Sequence, residues 1–189
     1  MMPSSPDASR TAISRWRIAA WSAAALLLLV PLVAMQFTDE VNWTASDFVF
    51  AAVLFLAVGV PLDLVMRRSG DRAYRAGGAV ALGTAFLVVW INAAVGIIGS
   101  EHSDVNLLFF AVLAIGIIGA LVARFRPLGL SRAMAATAAA QAAVAIGALV
   151  AGWTSPATSR VEVVALWVFV ALWAASAALF RVAARRSSV

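Results

Sequence analysis

Six apolar stretches divide this chain, at about residues 16–35, 48–66, 76–98, 105–123, 133–153 and 163–180. A hydrocarbon core takes about 20 helical residues to cross, at ~1.5 Å of rise per residue. Each stretch is near that length, and none is long enough for two crossings. The arginines fall at alternate boundaries. Arg10, Arg15, Arg17, Arg67, Arg68, Arg72, Arg75, Arg124, Arg126, Arg132, Arg181, Arg185 and Arg186 lie on one side of the stretches, and only Arg160 on the other. Arginine and lysine bias of this kind orients a multi-pass membrane protein with its basic side in the cytoplasm. The expectation is an all-α bundle of six transmembrane helices with both termini inside. Residues 1–15 are expected to be a disordered polar lead, 16–180 one transmembrane domain, and 181–189 a short basic tail. The short connections predict that sequential helices pack as antiparallel neighbours.

Composition agrees. The chain is 63% hydrophobic and 12% charged, with a mean hydropathy of +0.96, whereas soluble domains are about half apolar and about a quarter charged. A formal charge of +5 and a pI near 11.4 would suit nucleic acid only if the charge formed a continuous basic face on a soluble element. Here it sits in clusters at the ends of apolar stretches, so the expected partner is the lipid bilayer. The first stretch competes with a signal peptide, but it is longer than the 7–15-residue apolar region of such a leader. Val33-Ala34-Met35-Gln36 is also a poor cleavage site, so a retained helix is expected.

What the chain lacks limits its chemistry. It has no cysteine and no lysine, and His102 is its one histidine. Disulfides, thiolate catalysis, iron–sulfur clusters and cysteine-bound zinc are excluded, as are Schiff bases on lysine and bis-histidine haem within one chain. No catalytic, metal-binding or cofactor-binding residue is assigned, and no cofactor is expected.

The polar residues inside or beside the stretches are the remaining candidates. Asp63 is the one carboxylate well inside a stretch, and Arg67 follows it by four residues, on the same helix face. That spacing predicts a pair near the interface; the alternative is a proton- or cation-binding site beside Pro61. Asn92 and Gln141, with Thr84 and Thr137, must find hydrogen-bond partners in hydrocarbon. They serve either as glue between helices or as the lining of a polar pathway. At the outer end, Glu101, His102 and Asp104, with Asp39 and Glu40, form an acidic face that is either solvated or able to hold a divalent ion. Small residues at Gly77, Gly78, Gly83, Gly116, Ala120, Gly147 and Ala151 allow close helix approach, within the chain or between copies, with the fifth stretch small nearly all round.

Local signals add detail. Thr44, Ser46 or Asp47 can cap the second helix, and Ser103 or Asp104 the fourth. Gly99 is placed to end the third, and Tyr74 to anchor at the interface. The segment 94–99 (AVGIIG) echoes 114–119 (AIGIIG).

The run Trp90-Ile91-Asn92-Ala93-Ala94-Val95-Gly96-Ile97-Ile98-Gly99-Ser100-Glu101 is preceded by Ala73-Tyr74-Arg75 and followed by Ala123-Arg124-Phe125-Arg126-Pro127. On these residues, roughly 47–132 resembles small multi-pass inner-membrane proteins of bacterial genomes, a group that implies no activity. The alanine-rich, lysine-free composition also resembles that of a high-GC bacterium. The expected function is a small non-enzymatic inner-membrane protein that assists movement of a solute or ion as a homo-oligomer. The alternative is an accessory subunit bound to another membrane protein through small-residue faces.

Overall fold

A computed structural model describes residues 7–100, 102–154 and 159–187. The described residues form six long helices: α1 (Asp7–Ala34), α2 (Ala45–Arg68), α3 (Arg72–Ala94), α4 (Leu107–Val122), α5 (Pro127–Ala151) and α6 (Ser159–Arg186), with a short 3-10 turn at Asp104–Asn106 before α4. All six are long and apolar enough to cross a bilayer. The all-α, six-span reading of the sequence is thus what the structure shows.

The ends differ from expectation in instructive ways. α1 begins at Asp7, inside the segment expected to be a disordered lead. α5 begins at Pro127 rather than near 133, because proline's fixed φ and missing N–H suit the first position of a helix. It ends where Gly152 turns left-handed, at φ +65°. Thr44 and Asp47 cap α2 as expected: the Thr44 N–H and hydroxyl both donate to Asp47 Oδ2, each at 2.7 Å.

The chain divides into two compact units, Met1–Asp63 and Leu64–Val189. In the first, α1 and α2 run antiparallel. Arg17 meets Asp63, and one turn along each helix the Trp21 ring covers Gly59, where a Cβ would come within 3.0 Å of it. Pro31, Ala51 and Leu54 are buried in this unit.

In the second unit the packing order is α3–α6–α5–α4. Sequential helices were expected to be neighbours throughout. α4 and α5 are, and so are α5 and α6, but α3 packs mainly on α6 and barely touches α4. α3 and α4 meet at their outer ends, where the Asn92 amide donates to the Asn106 carbonyl. Consecutive residues of α6 join both of its partners. The Ser176 hydroxyl donates to the Gly77 carbonyl of α3 (2.8 Å), and the Ala177 carbonyl accepts from Ser131 of α5 (2.8 Å). Such bonds between membrane helices are worth about 0.6–2 kcal/mol.

Small residues set the spacing. A Cβ on Gly77 would stand 3.2 Å from the Phe180 ring, one on Gly78 2.7 Å from Val65, and one on Gly119 2.7 Å from the Ala133 Cβ. These glycines serve contacts inside the chain. Gly83 has open space around it.

Gly119→Ala should therefore lower the thermal stability of the detergent-purified protein, by about 1–3 kcal/mol, since the α4–α5 seam must spread. Gly83→Ala should leave the unfolding midpoint unchanged or raise it. Equal behaviour of the two variants in a thermal unfolding series would contradict this packing.

Candidate functional site: polar groups within the helices

Asp63 lies in α2 with a side chain 20% exposed, and its Oδ1 is 3.0 Å from Arg17 Nε of α1. The buried Arg17 Nε makes no aligned hydrogen bond, so this contact is an ion pair. Spacing along one helix pointed to Arg67, an exposed residue in the last turn of α2. What spacing could not reveal is the arginine that the antiparallel approach of α1 brings across.

Asn92 is buried in α3, and its Nδ2 donates to the Asn106 carbonyl (3.1 Å). Asn106 is the residue that sequence reasoning missed. It is 5% exposed and makes four side-chain bonds. Its Oδ1 accepts from the N–H groups of Ile97 (3.2 Å) and Ile98 (3.0 Å). Its Nδ2 donates to the carbonyls of Ile98 (3.2 Å) and Ser100 (2.7 Å). The connector that it holds exists because α3 stops early. The N–H groups of Val95 and Gly96 both return to the Ile91 carbonyl, and Gly96 turns left-handed at φ +74°. Gly99, the expected stop, adopts φ +73° further along the same connector. Ile97 and Ile98 are almost fully buried there. A signal was present in the sequence: an amide just before an apolar run, a loop's length after a glycine-broken one.

Gln141 is fully buried in α5, and neither its amide oxygen nor its amide nitrogen has a hydrogen-bond partner. It lies one turn beyond Thr137, the residue that a Cβ on Gly116 of α4 would touch. Thr137 and Thr84 return their hydroxyls to their own helices, at Ala133 (2.9 Å) and Val80 (2.6 Å). Asn92 Oδ1 and Trp173 Nε1 are also buried without partners. The structure does not join Asn92, Gln141, Thr84 and Thr137 by hydrogen bonds to one another; the bonds they make end on backbone.

At the opposite end of the helices from the arginine turns, His102 and Asp104 are exposed, and Glu101 lies outside the described residues. Ser103 precedes the 3-10 turn without a side-chain cap bond, and Asn106 at the N-cap of α4 makes none either, its side chain being spent on the connector. Among the described residues no group of three or more histidine, aspartate or glutamate side chains is arranged to hold a metal ion. Glu162, in the first turn of α6, is buried at 7% exposure.

The arginine-rich end is held by side chains reaching backbone. Asp71 caps α3 by accepting from the Tyr74 N–H (2.8 Å) and lies 3.5 Å from Arg186 of α6. That N–H holds the Asp71 carboxyl below the usual carboxylate range, against an opposing desolvation, with Arg186 adding a smaller pull. Tyr74 is buried against the protein. Its ring meets Phe180 edge-on (5.3 Å between centroids), and its hydroxyl donates to the Phe125 carbonyl (3.0 Å). This bond steadies a strained turn, since Arg124 (φ 48°) and Phe125 (φ 59°) are both left-handed without being glycine.

No protein family, curated protein or solved structure matches this chain.

Asn106→Ala should unfold the connector at residues 95–100. Four bonds are lost and two buried N–H groups are orphaned, a cost on the order of 3 kcal/mol. Hydrogen exchange on the detergent-solubilised protein should show residues 95–100 deprotected while the middle of α5 stays slow. Unchanged protection of the connector would show that Asn106 does not hold it.

Proposed function

We propose that this chain is a non-catalytic, multi-pass protein of a bacterial inner membrane, with both termini cytoplasmic, that acts as a structural or accessory subunit beside another membrane protein. The carrying observation is where the polar side chains go. Asn106, Ser131, Ser176, Thr84 and Thr137 all bond to backbone: Asn106 in the connector, Ser131 and Ser176 across to a neighbouring helix, and Thr84 and Thr137 within their own helices. A pathway for solutes needs polar groups turned toward one another or toward water, and these five are already engaged. The arginine bias supports the orientation, because guanidinium groups favour the inner side. Reporter fusions at the Asp71 and Pro127 turns should report cytoplasm, and a fusion at His102 the outside. The opposite result would reverse the topology.

One observation favours a second reading, permeation of a small polar solute or ion by a homo-oligomer. Gln141 is a fully buried amide with both atoms unpartnered. An amide left so in hydrocarbon costs several kcal/mol unless something meets it (~2–7 kcal/mol). The two readings separate in proteoliposomes. The accessory role expects ion and solute flux equal to that of empty vesicles, together with a stoichiometric partner after crosslinking and purification. Flux that is abolished by Gln141→Leu would displace the accessory reading.

A further inference from the structure

Two polar side chains inside the second unit are left over by its packing. Gln141 of α5 is fully buried, and neither polar atom of its amide meets a hydrogen-bond partner among the described residues. Trp173 of α6 is 3% exposed, and its indole Nε1 meets none either. Each lies on the buried stripe of its helix, and the two helices are neighbours. Buried donors and acceptors are costly when unmet, so two of them on facing stripes point to something that both can meet.

The register of α5 on α6 brings the two to one level. The bond from the Ser131 hydroxyl to the Ala177 carbonyl fixes how these antiparallel helices stand against each other. Counted from that bond, Gln141 stands opposite Trp167, and Trp173 opposite Ala135. The offset between them is six residues, or ~9 Å along the axis. Long side chains on a helix lean toward its N-terminus. Gln141 therefore reaches back toward Thr137, and Trp173 toward Phe169. In antiparallel neighbours these two leans run toward each other, and they close the offset. Thr137 is itself fully buried, and its hydroxyl gives its proton to the Ala133 carbonyl (2.9 Å). What remains at Thr137 Oγ1 is an acceptor.

These three groups define the occupant. The indole N–H can only donate, the spent hydroxyl can only accept, and the amide does both. An anion has no proton to give Thr137, and a metal cation takes none from Trp173. All three groups are neutral, so none offsets the cost of drying an ion. Water both donates and accepts, and a buried water makes about three hydrogen bonds to groups otherwise unmet. We propose that internal water is bound between Gln141 and Trp173 as a fixed part of the fold. It accepts from the Trp173 indole, bonds with the Gln141 amide and donates to Thr137 Oγ1. The inference rests on the packing of this unit and on neither functional reading; the failure of either reading leaves it standing.

The full-length, isotope-labelled protein in deuterated detergent is read by nuclear Overhauser transfer from water to nitrogen-bound protons. The Gln141 side-chain amide and the Trp173 indole are assigned by the signals lost in Gln141→Leu and Trp173→Phe. In the parent, both groups should show water cross-peaks of the sign that a long-lived contact gives. In Gln141→Leu the Trp173 cross-peak should be lost, because the water no longer has its second anchor. Gln141→Met, close to glutamine in shape, decides the matter if the leucine variant does not fold. Thr137→Val removes the nearest hydroxyl, whose own proton could imitate water. The cross-peaks should persist there, since two anchors remain. Three results would each overturn the site: no water cross-peak on either group in the parent, a Trp173 cross-peak that survives both Gln141 variants, or loss of both cross-peaks in Thr137→Val. A direct cross-peak between indole and amide protons, with none to water, would show that the two side chains close on each other instead.

Discussion

A helix in hydrocarbon satisfies its own backbone except where it stops, and at those places something else must supply the missing partners. Much of this structure follows from that constraint. Thr44 and Asp47 supply partners at the start of α2, Asp71 at the start of α3, Asn106 across the α3–α4 connector, and Tyr74 at the α4–α5 turn. These polar side chains complete the backbone rather than forming a reactive cluster. That use of polarity supports a structural reading of the chain more than a chemical one.

The interior of the α3–α6 unit obeys a related rule. Between helices in lipid, attraction comes from close packing and from a few hydrogen bonds, not from hydrophobic exclusion. Gly77, Gly78 and Gly119 provide the close approach, and Ser131 and Ser176 the bonds. α6 gains from both through adjacent residues, which is why it sits between α3 and α5. Gln141 stands apart from this scheme, as a buried amide whose two polar atoms have no partner. It is the feature of the interior that a purely structural role accounts for least.

Part of the candidate site was legible in the sequence. Asp63 inside an apolar stretch had to find a cation, and one that it meets is Arg17, a residue distant in sequence. A helical wheel shows neighbours four residues away and cannot show which other helix lies alongside. Asn92 had to find a hydrogen-bond partner, as glue or in a polar pathway, whereas the partner that it has, Asn106, was not foreseen. Asn106 owes its importance to four backbone groups that become available only once α3 has ended at Ala94.

What the sequence determined by itself is the number of spans and their helical character, because length and apolarity leave a chain in lipid no other solution. The echo between 94–99 and 114–119 marks where that determination ended. The two segments are nearly the same string, yet the first is a connector with Gly96 and Gly99 left-handed, and the second is regular helix within α4. Local preference cannot separate them. The first is broken because Asn106 meets its freed N–H and carbonyl groups. The second stays helical because Gly116 and Gly119 lie against Thr137 and Ala133 of α5. Tertiary contact decided the conformation, since only a partner from elsewhere in the chain can compensate a backbone that leaves its helix within the membrane.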